Sequence, residues 1–137
     1  MIFMVDTNVM VDILENRKEY FNDSYLVIRN AIENGDKIMY PVSATTDIAY
    51  ILRKMDDVKE KLTRLSCCLQ IVDVKAEDFF AAMKTNMNDF EDALLSAVAK
   101  RNRAEFIVTR NKKDFAESGI QAITPKEFLE IIMREDA

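Results

Sequence analysis

Short apolar runs alternate with longer amphipathic segments along the chain. Ile2–Val5 is a continuous apolar run, which is typical of a strand covered on both faces. Further strands are predicted at Lys37–Pro41, Gln70–Val74 and Phe106–Thr109, with a minor fifth strand at Ala122–Ile123. Because helical segments separate these strands, the economical interpretation is a parallel sheet with helical crossovers on both faces.

The segments between the strands carry the spacing and end signals of helices. Thr124-Pro125-Lys126-Glu127 combines an N-cap, Pro at the first helical position and Glu at the third, which predicts the start of the last helix. Gly35 suits the residue just past a helix end. The other predicted helices are Thr7–Glu15, Ser24–Asn34, a helix capped by Ser43 and running to about Met55, Asp57–Leu69, Glu77–Lys84 and Phe90–Asn102. No repeat, linker or low-complexity tract interrupts them, so residues 1–137 are expected to form one domain.

Composition narrows the class of protein. The chain has 137 residues, enough to bury a core, and its apolar stretches are well short of the roughly 20 residues of a membrane span. Its N-terminus lacks the basic region of a signal peptide. Adjacent Cys67 and Cys68 rarely form a disulfide, so we expect them to pack as small apolar side chains in a reducing cytoplasm. We therefore expect a cytoplasmic protein that does not enter a membrane.

Four acidic residues stand where such a domain would gather them at one edge of its sheet: Asp6, Asp47, Asp92 and Asp114. Ligand sites in open α/β sheets lie beyond the carboxyl ends of the strands, and Asp6 directly follows the first strand. The chain has no histidine, which removes the commonest general base and the commonest transition-metal ligand. Clustered carboxylates instead suit Mg²⁺ or Mn²⁺.

Asp47 is the most unusual of these acids. Its helix carries an apolar stripe at helical spacing, formed by Ala44, Ile48, Ile51 and Met55. Asp47 lies three residues after the first of these and four before the third, so it is expected on the same inward side. A carboxylate there needs a partner, either a basic residue in a salt bridge or a metal ion shared with other carboxylates.

Asp89 and Asp92 open the long helix that begins at Phe90. Asp89 as N-cap and Asp92 at the third helical position resemble a capping box, which is a sufficient structural explanation for either residue alone. However, Asp89, Glu91 and Asp92 also repel one another, and the helix beyond them is almost wholly apolar or small. Asp92 is therefore equally well explained as a cap or as a metal ligand at the mouth of a buried helix.

The loop after the fourth predicted strand gathers polar and basic side chains. Thr109, Asn111 and Asp114 lie there, where Asn and Asp also commonly make turns. The nearby basic residues are a solvated surface or a rim that contacts phosphates: Lys100, Arg101, Arg103, Arg110, Lys112 and Lys113. Their position beside the acidic centre favours substrate binding, with Arg110, Lys112 and Lys113 closest in sequence to the site.

Three segments carry a family resemblance: Asp6–Asn8 after a strand, Asp89–Ala93 opening a helix, and Val108–Phe115 across a strand end. In this order they resemble the three motifs of PIN-domain ribonucleases, the fold of VapC-type toxins in bacterial toxin–antitoxin pairs. The resemblance implies a three-layer α/β/α sandwich with a four- to five-stranded parallel sheet ordered 3-2-1-4-5. It also implies an endoribonuclease that depends on Mg²⁺ or Mn²⁺, forms a homodimer and has a cognate antitoxin.

The resemblance also assigns roles to residues of this chain. Asp6, Asp92 and Asp114 would hold metal, with Asp47 as a further catalytic acid, and Asn8, Thr109 and Asn111 in support. Two positions depart from the family pattern. The acid at position 47 is usually Glu, so the shorter Asp47 is expected to reach the metal through water. The position of Asn111 is often Asp, so its acidic role is expected to pass to Asp114.

Two other classes of protein stay open at this point. A response receiver or a haloacid-dehalogenase-like phosphatase would also place an Asp after the first strand. The phosphatase pattern requires a second Asp two residues later, where this chain has Asn8, and the acidic pair and Lys of a receiver are not convincing here. The other class is a non-catalytic PIN-like module that binds RNA or protein.

Overall fold

A computed structural model describes residues 1–136 of the chain. Its strands are β1 (Ile2–Val5), β2 (Lys37–Pro41), β3 (Gln70–Val72), β4 (Phe106–Val108) and β5 (Ala122–Ile123). Its α-helices are α1 (Thr7–Leu14), α2 (Phe21–Asn34), α3 (Thr45–Ile51), α4 (Val58–Cys68), α5 (Ala76–Met83), α6 (Phe90–Arg101) and α7 (Pro125–Asp136). There are also two 3-10 turns: Val42–Ala44 directly follows β2, and Lys112–Phe115 lies between β4 and β5.

The five strands form one parallel sheet in the order β3-β2-β1-β4-β5, which confirms the predicted order. β1 is central and pairs with β2 and β4, with Val5 opposite Val108 at the last position of the β1–β4 pair. The residues that follow these two strands, Asp6 and Thr109, therefore emerge side by side. The backbone N–H of Asp6 donates to the carbonyl of Val108 at 3.0 Å, which fixes that position.

Alternation along β1 sends side chains to both faces of the sheet. Phe3 belongs to the cluster beneath α1, α2 and α7, where its ring lies 5.1 Å from that of Phe128. Met4 belongs to the opposite cluster with Leu95 and Val98 of α6. All five of these side chains are at most 5% exposed. Because both faces of the sheet are covered by helices, the predicted three-layer α/β/α sandwich is confirmed.

The predicted start of the last helix is confirmed by a reciprocal capping box. The N–H of Glu127 donates to Thr124 Oγ1 at 3.1 Å, and the N–H of Thr124 donates to Glu127 Oε1 at 3.2 Å. α2 begins at Phe21, three residues earlier than predicted, and Ser24 is buried inside the helix. Gly35 ends α2 in the left-handed region, at φ 73°.

Two local predictions were wrong. Ser43 does not cap a helix that runs to Met55, because it lies in a 3-10 turn and α3 ends at Ile51. Cys67 and Cys68 are free and exposed rather than packed inside, because they lie at the end of α4, whose buried side chain is Leu65. Across residues 1–136, no helix is both long and apolar enough to cross a membrane.

Candidate metal centre

Asp6 is the most constrained carboxylate of the site. It is the N-cap of α1, and its Oδ1 accepts a hydrogen bond from the Thr7 N–H at 2.7 Å. Its Oδ2 accepts from the Thr109 hydroxyl at 2.8 Å and from Asn8 Nδ2 at 3.2 Å. Burial raises the pKa of Asp6, the hydrogen bonds from Thr109 and Thr7 oppose that rise, and the charges of Asp114 and Asp89 add to it. Asn8 and Thr109 thus both donate hydrogen bonds to Asp6, and their supporting role at a metal site stays a prediction.

Buried Tyr40 anchors the start of α1 to the neighbouring strand. Its hydroxyl lies 2.8 Å from Thr7 Oγ1 and donates to the carbonyl of Ala44 at 3.1 Å. Since the single phenolic hydrogen is used on Ala44, the Thr7 hydroxyl is the donor to Tyr40. Burial raises the pKa of Tyr40, which keeps the phenol neutral. This chain of bonds connects the loop of Asp6 to the segment that carries Asp47.

Asp92 faces Asp6 across the cleft from the first turn of α6. Asp89 caps this helix by accepting from the N–H of Asp92 at 3.0 Å. Within residues 1–136 no hydrogen bond to the Asp92 carboxylate is found, so only half of the predicted capping box forms. Burial, then the charges of Asp6, Asp89, Asp114 and Glu91, raise the pKa of Asp92 to about 7. A cation would relieve this repulsion.

A cleft of about 540 Å³ runs from these two acids along α3 and α6. Asp47 and Glu91 line it together with Asp6 and Asp92, while Tyr50, Ile51, Phe90 and Leu94 contribute to its apolar wall. Burial and the neighbouring Asp47 raise the pKa of Glu91. The sequence did not assign Glu91 to the site. Its only signal was its place in the acidic run before the apolar part of α6.

Asp47 is half-buried and shares a helical face with Ala44 and Ile51, as predicted. This face lines the cleft, and Ile51 is 39% exposed. Ile48 and Leu52 are the fully buried residues of this segment. Asp47 belongs to none of the ion pairs found among residues 1–136. The salt-bridge explanation for it therefore finds no support.

Asp114 lies on the other side of Asp92. It lines a second cavity of about 140 Å³ with Asp89, Asp92, Lys113 and Glu117. Lys113 brings a positive charge to this cavity, whereas Lys112 pairs with Glu127 at 3.0 Å. The Asn111 side chain is exposed, but its backbone N–H donates to Thr109 Oγ1 at 3.1 Å.

The wider basic rim predicted around the site is only partly assembled. Arg110, Lys112 and Lys113 follow β4 at the edge of the sheet that carries the carboxylates. Lys100, Arg101 and Arg103 lie at the opposite end of α6, because Arg101 is nine residues, or about 14 Å of helix, beyond Asp92. Arg101 pairs there with buried Asp78 at 2.9 Å.

The donor set suits a hard divalent cation held partly through water. Among residues 1–136, no three Asp, Glu or Cys side chains are already grouped closely enough to hold one ion. Mg²⁺ typically keeps several waters and takes one or two protein carboxylates, so Asp6 and Asp92 satisfy its needs. The repulsion among the acids favours binding of a cation, and the oxygen donors together with the lack of histidine favour Mg²⁺ or Mn²⁺ over metals that prefer nitrogen or sulfur ligands.

The chain is similar in sequence and fold to several known proteins. The chain is 29% identical to Ribonuclease VapC1 of Aquifex aeolicus (strain VF5), with 92% of each sequence covered. The solved complex of VapBC2 from Rickettsia felis with a promoter DNA fragment gives a TM-score of 0.69 at 21% identity, covering 90% of this chain and 98% of that one. The solved structure of FitAB bound to the IR36 DNA fragment gives a TM-score of 0.74 at 11% identity, covering 90% of this chain and 94% of that one.

A third solved structure, VapBC-1 from nontypeable Haemophilus influenzae, gives a TM-score of 0.67 at 14% identity, covering 92% of this chain and 99% of that one. These likenesses describe the fold. The family model of the PIN domain matches residues 3–113, which contain Asp6, Asp47, Asp92 and Thr109. The chain therefore belongs to the PIN-domain family.

Proposed function

We propose that this PIN-domain protein is a VapC-like endoribonuclease that hydrolyses RNA phosphodiesters with the help of Mg²⁺ or Mn²⁺. The observation that carries this proposal is that Asp6, which follows β1, and Asp92, which opens α6, line one cleft at the edge of the sheet, where the charge of Asp6 helps to raise the pKa of Asp92. The similarity to Ribonuclease VapC1 over 92% of the chain supports the ribonuclease assignment.

Asp6 and Asp92 would hold the metal, with Asp114 close enough for its charge to raise the pKa of both. Asp47 would act through water, because it lines the same cleft but its side chain is one methylene shorter than the Glu that is usual at this position. When bound, a divalent ion lowers the pKa of water and offsets the negative charge of a phosphodiester. Two such ions would bring the formal net charge from −5 to about −1, which eases the approach of RNA.

The protein's own groups orient the site. The Thr7 N–H, Thr109 hydroxyl and Asn8 amide fix both oxygens of Asp6, so its lone pairs point in set directions. With no histidine in the chain, a carboxylate is the available acceptor for the proton of the attacking water. Lys112 and Lys113 would contact RNA phosphates, and Lys113 has the better access because Lys112 is paired with Glu127.

The proposal extends to a cognate antitoxin, a homodimer and a cytoplasmic location. The structural neighbours VapBC2 and VapBC-1 are toxin–antitoxin complexes, and the cleft offers a partner an acidic end beside exposed apolar residues. Tyr50 is 65% exposed and Phe90 is 44% exposed. A peptide with apolar side chains and one Arg or Lys would complement both parts, because the cation would pair with Asp6 and Asp92.

The test is cleavage of a panel of single-stranded and hairpin RNAs with and without Mg²⁺ or Mn²⁺. Wild type should cleave only with metal, while Asp6→Asn should stay folded and lose most activity. RNA binding without cleavage would instead favour a non-catalytic PIN-like module. Transfer of a phosphoryl group to Asp6 would favour a phosphoryl-transfer domain, although the 3-2-1-4-5 sheet already differs from the 2-1-3-4-5 order of receivers.

A further inference from the structure

Asp12 is a buried charge within α1 that the proposed chemistry does not use. Its side chain is 0% exposed, and Arg110 Nε donates to its Oδ2 at 2.7 Å. Arg17 lies 3.7 Å from the other oxygen. Removing an unpaired carboxylate from water raises the free energy of the folded state by roughly several kcal/mol. The pairing of Asp12 with Arg110 therefore helps to stabilise the packed position of α1.

The guanidinium of Arg110 is held on a second side. Its central carbon lies 3.9 Å from the centre of the Tyr20 ring, and only 22% of the side chain is exposed. A planar guanidinium that is fixed between a carboxylate and an aromatic face keeps little freedom to receive a phosphate. Exposed Lys113 has neither an ion pair nor an aromatic contact among residues 1–136. Arg110 therefore differs from Lys113, although the sequence suggested the same phosphate-binding role for both.

Arg110 also ties the site residues to α1 through the backbone. Its N–H donates to Asn8 Oδ1 at 3.3 Å, and it directly follows Thr109, whose hydroxyl donates to Asp6. The loop after β4 is thus attached to α1 at two places, near its first turn through Asn8 and near its last through Asp12. Outer contacts of this kind orient metal-ligating carboxylates.

We infer that Asp12 and Arg110 are a positioning pair for the catalytic centre, and that Arg110 holds Thr109 and Asn8 against Asp6 rather than binding RNA phosphate. The inference rests on the proposed ribonuclease function for its kinetic part alone. Its structural part, the attachment of the β4 loop to α1, concerns the protein without metal or RNA.

The test compares Arg110→Gln, Arg110→Lys and Asp12→Asn with a matched control, Arg101→Gln. Arg101 pairs with Asp78, a carboxylate only 2% exposed, at the far end of α6. The control therefore breaks an equally buried Arg–Asp pair without touching the β4 loop. For each protein we would measure kcat, KM, Mn²⁺ affinity without RNA, the salt dependence of RNA binding, and amide hydrogen exchange.

All four substitutions should lower the melting temperature, but only those at Arg110 and Asp12 should change metal binding and catalysis. They should weaken Mn²⁺ binding and lower kcat by about 10–100-fold, with KM and the salt slope unchanged. Exchange at the amides of Arg110 and Asn111 should accelerate. If wild type neither cleaves RNA nor binds metal, the proposed function fails, while faster exchange in these variants alone would still support the positioning pair.

Two results would overturn the inference. If Arg110→Gln raises KM at unchanged kcat and lowers the salt slope by about one while Asp12→Asn leaves both unchanged, Arg110 is a phosphate ligand. If Arg101→Gln slows cleavage and accelerates exchange at Arg110 as much as Arg110→Gln does, the pair contributes only to general stability.

Discussion

The Thr109 hydroxyl donates to Asp6 Oδ2 at 2.8 Å across 103 residues of sequence. This bond joins the ends of β4 and β1, the two strands whose register sets the edge of the site. It also favours the charged form of a carboxylate whose pKa burial would otherwise raise further. Thr109 therefore helps to keep Asp6 ready to bind a cation in the folded protein.

Replacing this hydroxyl should weaken the metal site. In Thr109→Val the shape is nearly kept but the bond to Asp6 is lost, so the pKa of Asp6 should rise further. We expect Mn²⁺ affinity and cleavage to fall by about 10–100-fold, measured by calorimetric titration and initial rates. Thr109→Ser is the matched control, since it keeps the hydroxyl, and it should retain most of both. Equal losses in the two variants would mean that packing, rather than the hydrogen bond, supports Asp6.

Asp92 should make the metal-free protein less stable at neutral pH. Its pKa is about 7 in the fold, against an ordinary value of 3.8, so the folded state binds more protons between these limits. Its contribution to the free energy of unfolding therefore falls as pH rises from about 4 to about 7. Asn at position 92 carries no charge, so Asp92→Asn should not lose stability in this way. Near pH 8 we expect its free energy of unfolding to exceed that of wild type by on the order of 1 kcal/mol, after allowance for solvent screening.

Thermal scans without metal from pH 5 to pH 8 would measure this effect. The advantage of Asp92→Asn should grow with pH, although the variant should lose most cleavage activity. Asp56→Asn is the control, because Asp56 is an exposed carboxylate outside the cleft. A constant difference between wild type and Asp92→Asn across this range would contradict the repulsion among the acids as its cause.

Some positions in the site could be predicted from the sequence and others could not. The neighbouring positions of Asp6 and Thr109 could be predicted, because each follows an apolar run and the carboxyl ends of parallel strands lie at one edge of the sheet. The helical face of Asp47 was predicted but the cleft that it lines was not, because helical spacing shows which residues share a face but not what that face contacts. The Asp12–Arg110 pair was missed because it joins residues 98 positions apart, and no local pattern signals a pairing that only tertiary packing creates.

Lys113 should supply most of the accessible positive charge beside the acids. Neutralising it in Lys113→Gln should weaken RNA binding and reduce the salt slope by about one, because one phosphate contact and its released counterions are lost. Lys59→Gln, at an exposed residue of α4, is the matched control and should leave the slope unchanged. Binding titrations at several salt concentrations would measure this. An unchanged slope in Lys113→Gln would place the RNA path elsewhere.

Expression of the protein without a neighbouring antitoxin gene should arrest bacterial growth. The arrest should require the metal site, because uncontrolled cleavage of cellular RNA is its proposed cause. Asp6→Asn and Asp92→Asn should therefore permit growth at the same expression level, whereas the control Lys59→Gln should arrest growth as wild type does. Co-expression of a basic antitoxin peptide should restore growth. With the purified enzyme, excess divalent metal should relieve inhibition by this peptide, because the metal competes with the peptide's cation for Asp6 and Asp92. High salt should also relieve the inhibition, because it screens the ion pair between that cation and the two carboxylates. Normal growth with wild type and both active-site variants alike would contradict the toxin role while leaving the PIN fold untouched.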